Sequence, residues 1–192
     1  NRPRALIQMA TGSGKSFTAV STCYRLLKYA DAKRILFLVD RNNLGRQALN
    51  EFQQFAAPSG LKFTEEYTVT HLKRNTIPES SKVVITTIQR LFSMLKGDDD
   101  YEEENEESSL YEAEGALPKK PVEVEYNAKL PIEMFDFVIV DECHRSIYNL
   151  WRQALEYYEA FIIGLTATPT AQTLGYFNQN LVQDYSHEKA VT

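Results

Sequence analysis

Apolar positions along the chain fall into two kinds of run. Five short, nearly continuous runs, Arg4–Met9, Arg34–Val39, Val83–Thr86, Phe135–Val140 and Ala160–Leu165, lack the alternation of a half-exposed strand. They predict strands covered on both faces, as in a parallel sheet. Between them, apolar residues recur at helical spacing: Val20, Cys23, Tyr24 and Leu27; Leu44, Ala48, Phe52 and Phe55; Ile147, Leu150, Trp151, Ala154, Leu155 and Tyr158. These stripes predict core-facing helices, and another helix is expected over Ile88–Lys96. A weaker strand is expected over Lys62–Val69, after the Pro58-Ser59-Gly60 break. Strands alternating with helices predict an α/β fold with a mostly parallel central sheet and helices on both faces. Ligands of such sheets bind at the carboxyl ends of the strands.

A chain of 192 residues has room for one well-packed domain. It contains no apolar run near the roughly 20 residues of a membrane span, so no membrane association is expected. Its two cysteines suggest no disulfide framework, which fits a reducing, cytoplasmic setting. The net charge of −5 is unevenly distributed. Ten of the 26 acidic residues lie between Asp98 and Glu114, leaving 21 basic against 16 acidic side chains elsewhere. The body is therefore mildly basic and tolerates a polyanionic partner. Residues 97–130, with that acidic half and the Pro118–Pro121 stretch, are too polar to support a core and are expected to form a mobile surface insertion.

The chemistry begins at Thr11-Gly12-Ser13-Gly14-Lys15-Ser16, between the first strand and the first helix. Glycines there let backbone N–H groups approach phosphate oxygens, Lys15 supplies a charge near the β and γ phosphates, and Ser16 a hydroxyl for Mg²⁺. The helix N-terminus adds its positive end. Met9 stands where the general P-loop pattern has its first glycine. Asp141-Glu142 follows a buried strand, where Asp141 can hold Mg²⁺ through water and Glu142 can polarise a water attacking the γ-phosphate. His144 lacks zinc-site spacing and is expected to link the pocket to its surroundings. Thr166 and Thr168 close another strand with hydroxyls expected to face the same crevice. Arg41, Asn42, Thr87 and Gln89 also stand at strand ends and suit contacts to a nucleic acid backbone. Cys143 reads as a small filler.

Taken in order, Thr-Gly-Ser-Gly-Lys-Ser, Asp-Glu-Cys-His and Thr-Ala-Thr-Pro resemble motifs I, II and III of superfamily 2 helicases. The strings Ile35–Leu44, Asp141–Ser146 and Ile163–Pro169, and the tail Tyr176–Asn180 with Tyr185–Glu188, resemble the motor (R) subunit of type I restriction enzymes. Cys143 replaces the more usual Ala. The resemblance implies a three-layer RecA-like P-loop NTPase domain spanning residues 1–192, the first of two such motor domains. It implies ATP and Mg²⁺ as cofactors and translocation along double-stranded DNA. It further implies as partners a second RecA-like domain, a nuclease domain, and modification and specificity subunits. A second motor domain with its arginine finger, a nuclease domain and the segment that usually reads adenine are expected to lie outside this stretch. Two alternatives stay open: a superfamily 2 DNA-repair or RNA helicase domain, and a nucleotide-gated interaction module docking through the acidic insertion.

Overall fold

A computed structural model describes residues 3–101, 124–147 and 151–185. Seven strands form one sheet: β1 (Arg4–Met9), β2 (Ile35–Val39), β3 (Val69–His71), β4 (Val83–Thr87), β5 (Phe137–Val140), β6 (Phe161–Thr166) and β7 (Leu181–Tyr185). Their order is β3-β4-β2-β5-β6-β1-β7, and every neighbouring pair is parallel. The helices are α1 (Lys15–Tyr29), α2 (Asn42–Gln54), α3 (Phe63–Glu66), α4 (Ile88–Lys96), α5 (Cys143–Ser146), α6 (Trp151–Tyr157) and α7 (Ala171–Tyr176). Among the described residues no helix is long and apolar enough to cross a membrane.

The continuous apolar strands serve two cores. Ile35, Phe37 and Val39 of β2 face one cluster with Val20, Tyr24, Phe52 and Phe63. Leu36 and Leu38 face the other, with Leu91, Trp151, Leu155 and Tyr158. Because successive side chains alternate across a strand, a sheet covered on both faces needs apolar residues at every position. This is the physical content of the unbroken runs.

Two expectations need correction. The stretch 62–69 is not a strand: α3 occupies Phe63–Glu66, and β3 begins at Val69. Phe63 and Tyr67 are one helical turn apart, with ring centroids 5.7 Å from each other, and Phe63 lies 4.9 Å from Phe52. The Glu65 carboxylate accepts the Lys62 backbone N–H at 2.6 Å, capping the turn. Of the stripe after His144, Ile147 lies just past α5 and not on the later helix, Trp151, Ala154 and Leu155 lie in α6 and Tyr158 just past it, all buried, and Leu150 lies outside the described residues. The mobility expected for 97–130 falls mainly on residues outside the described ones. At its described ends, Asn127 donates to the Met94 carbonyl at 3.0 Å and Leu130 is buried.

Along the carboxyl rim the strand order places the ends of β4, β2, β5, β6 and β1 side by side. The chain passes from β1 to β2 over the two strands between them, opening the crevice that such a switch point creates.

Candidate functional site

The loop after β1 turns sharply at Gly12 (φ 80°) and at Gly14 (φ 88°), which caps α1. Nothing lies within 4 Å of a Cβ built on either, so the demand is conformational: a positive φ is strained for other residues. Ser13 Oγ donates to the Ala10 carbonyl at 2.6 Å and tightens the turn. Thr11 and Gly12 are exposed at its tip. The loop therefore presents backbone N–H groups and the first turn of a 15-residue helix at the crevice.

Lys15 reaches across the end of β6 to the residues after β5. Its Nζ donates to Glu142 Oε1 and lies 3.5 Å from Asp141 Oδ1. Burial raises the Asp141 carboxyl above the ordinary carboxylate value, and the Lys15 charge opposes that shift. Asp141 Oδ1 also accepts the Glu142 N–H at 2.9 Å. Glu142 itself adopts φ 47° and ψ 44°, a left-handed conformation that costs a non-glycine residue about 1–2 kcal/mol. Thr11, Lys15, Ser16, Asp141 and Glu142 line one wall of a cavity of about 290 Å³ that continues between α1 and α2 to Gln47.

Behind Glu142, α5 is anchored residue by residue. Cys143 is fully buried against Gly164, where a Cβ would stand 2.8 Å from its Sγ. Burial, then the Asp141 charge, pushes the Cys143 thiol up to about 12, so it is no nucleophile. His144 Nδ1 lies 2.9 Å from Thr166 Oγ1 and 3.5 Å from Glu142 Oε2. Burial, then the charges of Arg145 and Lys15, hold His144 below the ordinary histidine value and favour the neutral ring. Arg145 donates from Nη1 to Asp40 Oδ2 at 2.9 Å.

The two threonines part company. Thr166 has no solvent exposure, whereas Thr168 is exposed and joins the cluster through its backbone N–H, which donates to Thr166 Oγ1 at 3.1 Å. The hydroxyls do not share a crevice because one lies inside the sheet rim and the other has left it.

Of the four residues expected at nucleic acid, Arg41 is partly exposed, its side chain 34% accessible. Asn42, Thr87 and Gln89 are 2%, 1% and 6% accessible and are turned to the fold instead. Thr87 caps α4 by accepting the Arg90 N–H at 3.2 Å. Gln89 Nε2 points at the Asp40 carbonyl, 3.5 Å away. Residues that end a doubly covered strand and begin a helix packed on it point inward, which removes these three from a backbone-contacting surface. Asp40 and Arg145 have no individual role that the sequence alone assigns. An acid directly after β2 and a base in the Asp-Glu-Cys-His-Arg string are legible there, but their meeting across 105 positions exists only in space.

The family model described as "Type III restriction enzyme, res subunit" matches residues 1–171. Over 205 aligned positions the chain is 27% identical to the type I restriction enzyme EcoKI endonuclease subunit of Escherichia coli K12, covering 97% of the chain and 15% of that protein. It is 33% identical over 171 positions to the EcoAI endonuclease subunit of Escherichia coli, covering 86% of the chain and 17% of the relative. The chain thus spans about a sixth of the length of these curated relatives. Among solved structures, the Pyrococcus furiosus Hef helicase domain superposes with a TM-score of 0.56 at 21% identity, over 96% of this chain and 34% of that one. A DEAD box protein from Methanococcus jannaschii gives 0.59 at 12% identity, over 97% and 45%. These likenesses show a helicase-type RecA-like fold.

Proposed function

Since the chain belongs to the family described as type III restriction enzyme, res subunit, we propose that it is the ATP-binding half of an ATP-driven double-stranded DNA translocase, the first motor domain of a type I restriction enzyme's motor subunit. The observation that carries this reading is Lys15, delivered by a glycine loop and paired with both acids of Asp141-Glu142 at one rim of a parallel sheet. A lysine placed between two acids at a helix N-terminus suits a site that takes a polyphosphate together with a divalent cation.

Backbone N–H groups of Thr11–Ser16 and the Lys15 ammonium hold the phosphates. The Ser16 hydroxyl and the Asp141 carboxylate offer two oxygens, a set that suits Mg²⁺ held chiefly through phosphates and water. Bound there, the cation neutralises charge developing on the transferring phosphate. Glu142 is freed from Lys15 as the ammonium turns to the phosphates, and then orients the attacking water as a general base. His144 and Thr166 hold Glu142 against the end of β6, and Arg41 offers a charge to a DNA phosphate. A trans arginine from a second motor domain is worth about 10³–10⁵ in rate, so slow turnover is expected from this domain alone. The nuclease domain and the modification and specificity subunits belong to the same proposal.

The test is titration of the full-length protein with a fluorescent ATP analogue and Mg²⁺, followed by hydrolysis assays with double-stranded DNA. Lys15→Ala is expected to weaken binding by about tenfold or more, the worth of a lost charge-assisted contact. Glu142→Gln is expected to keep binding while hydrolysis falls by about 10²–10⁴. Equal binding by wild type and Lys15→Ala refutes the reading. Binding with no hydrolysis, with or without DNA, supports a nucleotide-gated module instead.

A further inference from the structure

Asp40 directly follows β2 with its side chain fully buried, and its Oδ2 faces two guanidinium groups. Arg145 Nη1 donates to it at 2.9 Å, and Arg41 Nε lies 3.8 Å away. The other oxygen, Oδ1, is buried with no hydrogen-bond partner among the described residues. A buried carboxylate depends on its counter-charges, and here both counter-charges converge on one oxygen. Both arginines keep about a third of their side chains exposed, so either can answer to something outside.

The two arginines belong to different functional segments. Arg41 precedes α2 at the rim and is the partly exposed member of the residues proposed at DNA. Arg145 lies in α5, and its own backbone N–H donates to the Glu142 carbonyl at 2.9 Å. Glu142 holds a left-handed backbone that its surroundings must maintain. Of the anchors on α5, Cys143 and His144 lean on β6, and the Arg145 ion pair ties it to the residue after β2.

We propose that Asp40 is a relay: when a DNA phosphate engages Arg41, the carboxylate oxygen that both guanidinium groups face is left to Arg145, fixing α5 and Glu142 in the position that hydrolyses ATP. Asp40 and Arg145 are then positioning residues that make hydrolysis respond to DNA. The electrostatic argument is a competition. A phosphate that takes up Arg41's charge leaves Arg145, already the nearer guanidinium, to balance a carboxylate that cannot reach water. The Arg145 pair, already at hydrogen-bond distance, then carries that carboxylate's counter-charge and holds α5 more firmly to the end of β2. The inference rests on the motor reading above.

The experiment uses the full-length protein with Mg²⁺, ATP and a linear double-stranded DNA of random sequence, and reads the ratio of hydrolysis rates with and without DNA. Asp40→Asn keeps the shape and removes the charge, and Arg145→Gln removes the other partner. Each is expected to lower that ratio by about tenfold, the worth of one charge-assisted hydrogen bond. Affinity for the fluorescent ATP analogue and for DNA is expected to stay within roughly twofold of wild type, the spread of uncoupled sites. The double variant is expected to fall no further than the worse single, and Arg145→Lys to regain part of the ratio. Arg41→Ala is expected to lower DNA affinity itself. If Asp40→Asn loses analogue binding and so has not folded, the more exposed Arg145→Gln and Arg145→Lys pair decides alone. Ratios that stay near wild type, or losses that multiply in the double variant, overturn the relay while leaving the motor reading intact. A wild type that binds the analogue but hydrolyses nothing with or without DNA overturns the motor reading, and the relay falls with it.

Discussion

Thr166→Val exchanges a hydroxyl for a methyl of nearly the same volume at a position with no solvent exposure. The hydroxyl oxygen accepts the Thr168 N–H at 3.1 Å and lies 2.9 Å from His144 Nδ1. Valine fills the space and leaves both groups without that partner. His144 is partly exposed and Thr168 is exposed, so both groups can turn in part to water. The cost therefore sits near the low end, about 1 kcal/mol, of what an unsatisfied buried polar group loses. For a chain of this size each kcal/mol lowers the melting temperature by roughly 2–4 °C. Thr166→Ser is the matched control: it keeps the oxygen and loses a methyl worth about 1 kcal/mol. The two variants thus have similar stability and differ in whether His144 is still held beside Glu142. ATP hydrolysis is expected to fall about tenfold in the valine variant, the worth of one hydrogen bond in the barrier, and to stay near wild type in the serine variant. Calorimetric melts and steady-state ATPase rates on the same preparations make the comparison. A valine variant that is more stable than wild type, or that matches serine in rate, refutes the reasoning.

Further expectations concern the surroundings of the same site. Gly164→Ala places a Cβ 2.3 Å from Phe177 Cζ and 2.8 Å from Cys143 Sγ. Both neighbours are fully buried, so a loss of about 1–3 kcal/mol is expected in denaturant unfolding, partly recovered by adding Phe177→Leu. His144 is held below its ordinary value by burial first and neighbouring cations second. The unfolded chain therefore takes up this proton more readily: the stability is present above about pH 6.5 and lost as pH falls through the lowered native value. Melting from pH 8 to pH 5 is expected to show this acid-side loss, and His144→Asn to reduce it; an unchanged slope in the variant contradicts the assignment. Cys23 and Cys143 are both fully buried and both raised by burial. A thiol reagent at pH 8 is expected to label neither in the native chain and both in denaturant, and rapid native labelling of Cys143 counts against its packing on Gly164.

Much of this molecule could be read one residue at a time. A glycine loop before a lysine, an acidic pair after an apolar run and strands apolar at every position are local statements, and the fold supports each. Local reading failed where the deciding partner is remote. Phe63 and Tyr67 sit at a spacing that suits a strand or one turn of helix, and the aromatic cluster with Tyr24, Phe52 and Phe55 is what a turn allows them to join. Thr87 and Gln89 have the polar character of backbone-contacting residues, yet one caps α4 and the other turns to Asp40. A polar side chain reads the same in sequence whether it meets solvent or a helix end.

By itself the sequence determined the layering and the chemistry on offer: apolar runs long enough to need cover on both faces, and the loop, the acids and the threonines that follow them. Those are set by backbone periodicity and by the short reach of a turn. Only the tertiary structure decided which of them meet. The order β2-β5-β6-β1 brings Lys15 within reach of Asp141 and Glu142, and lays the exposed edge strand β7 along β1. It also closes Asp40 onto Arg145. Strand order depends on how whole helices pack across the sheet, a sum over many weak contacts that no local pattern encodes.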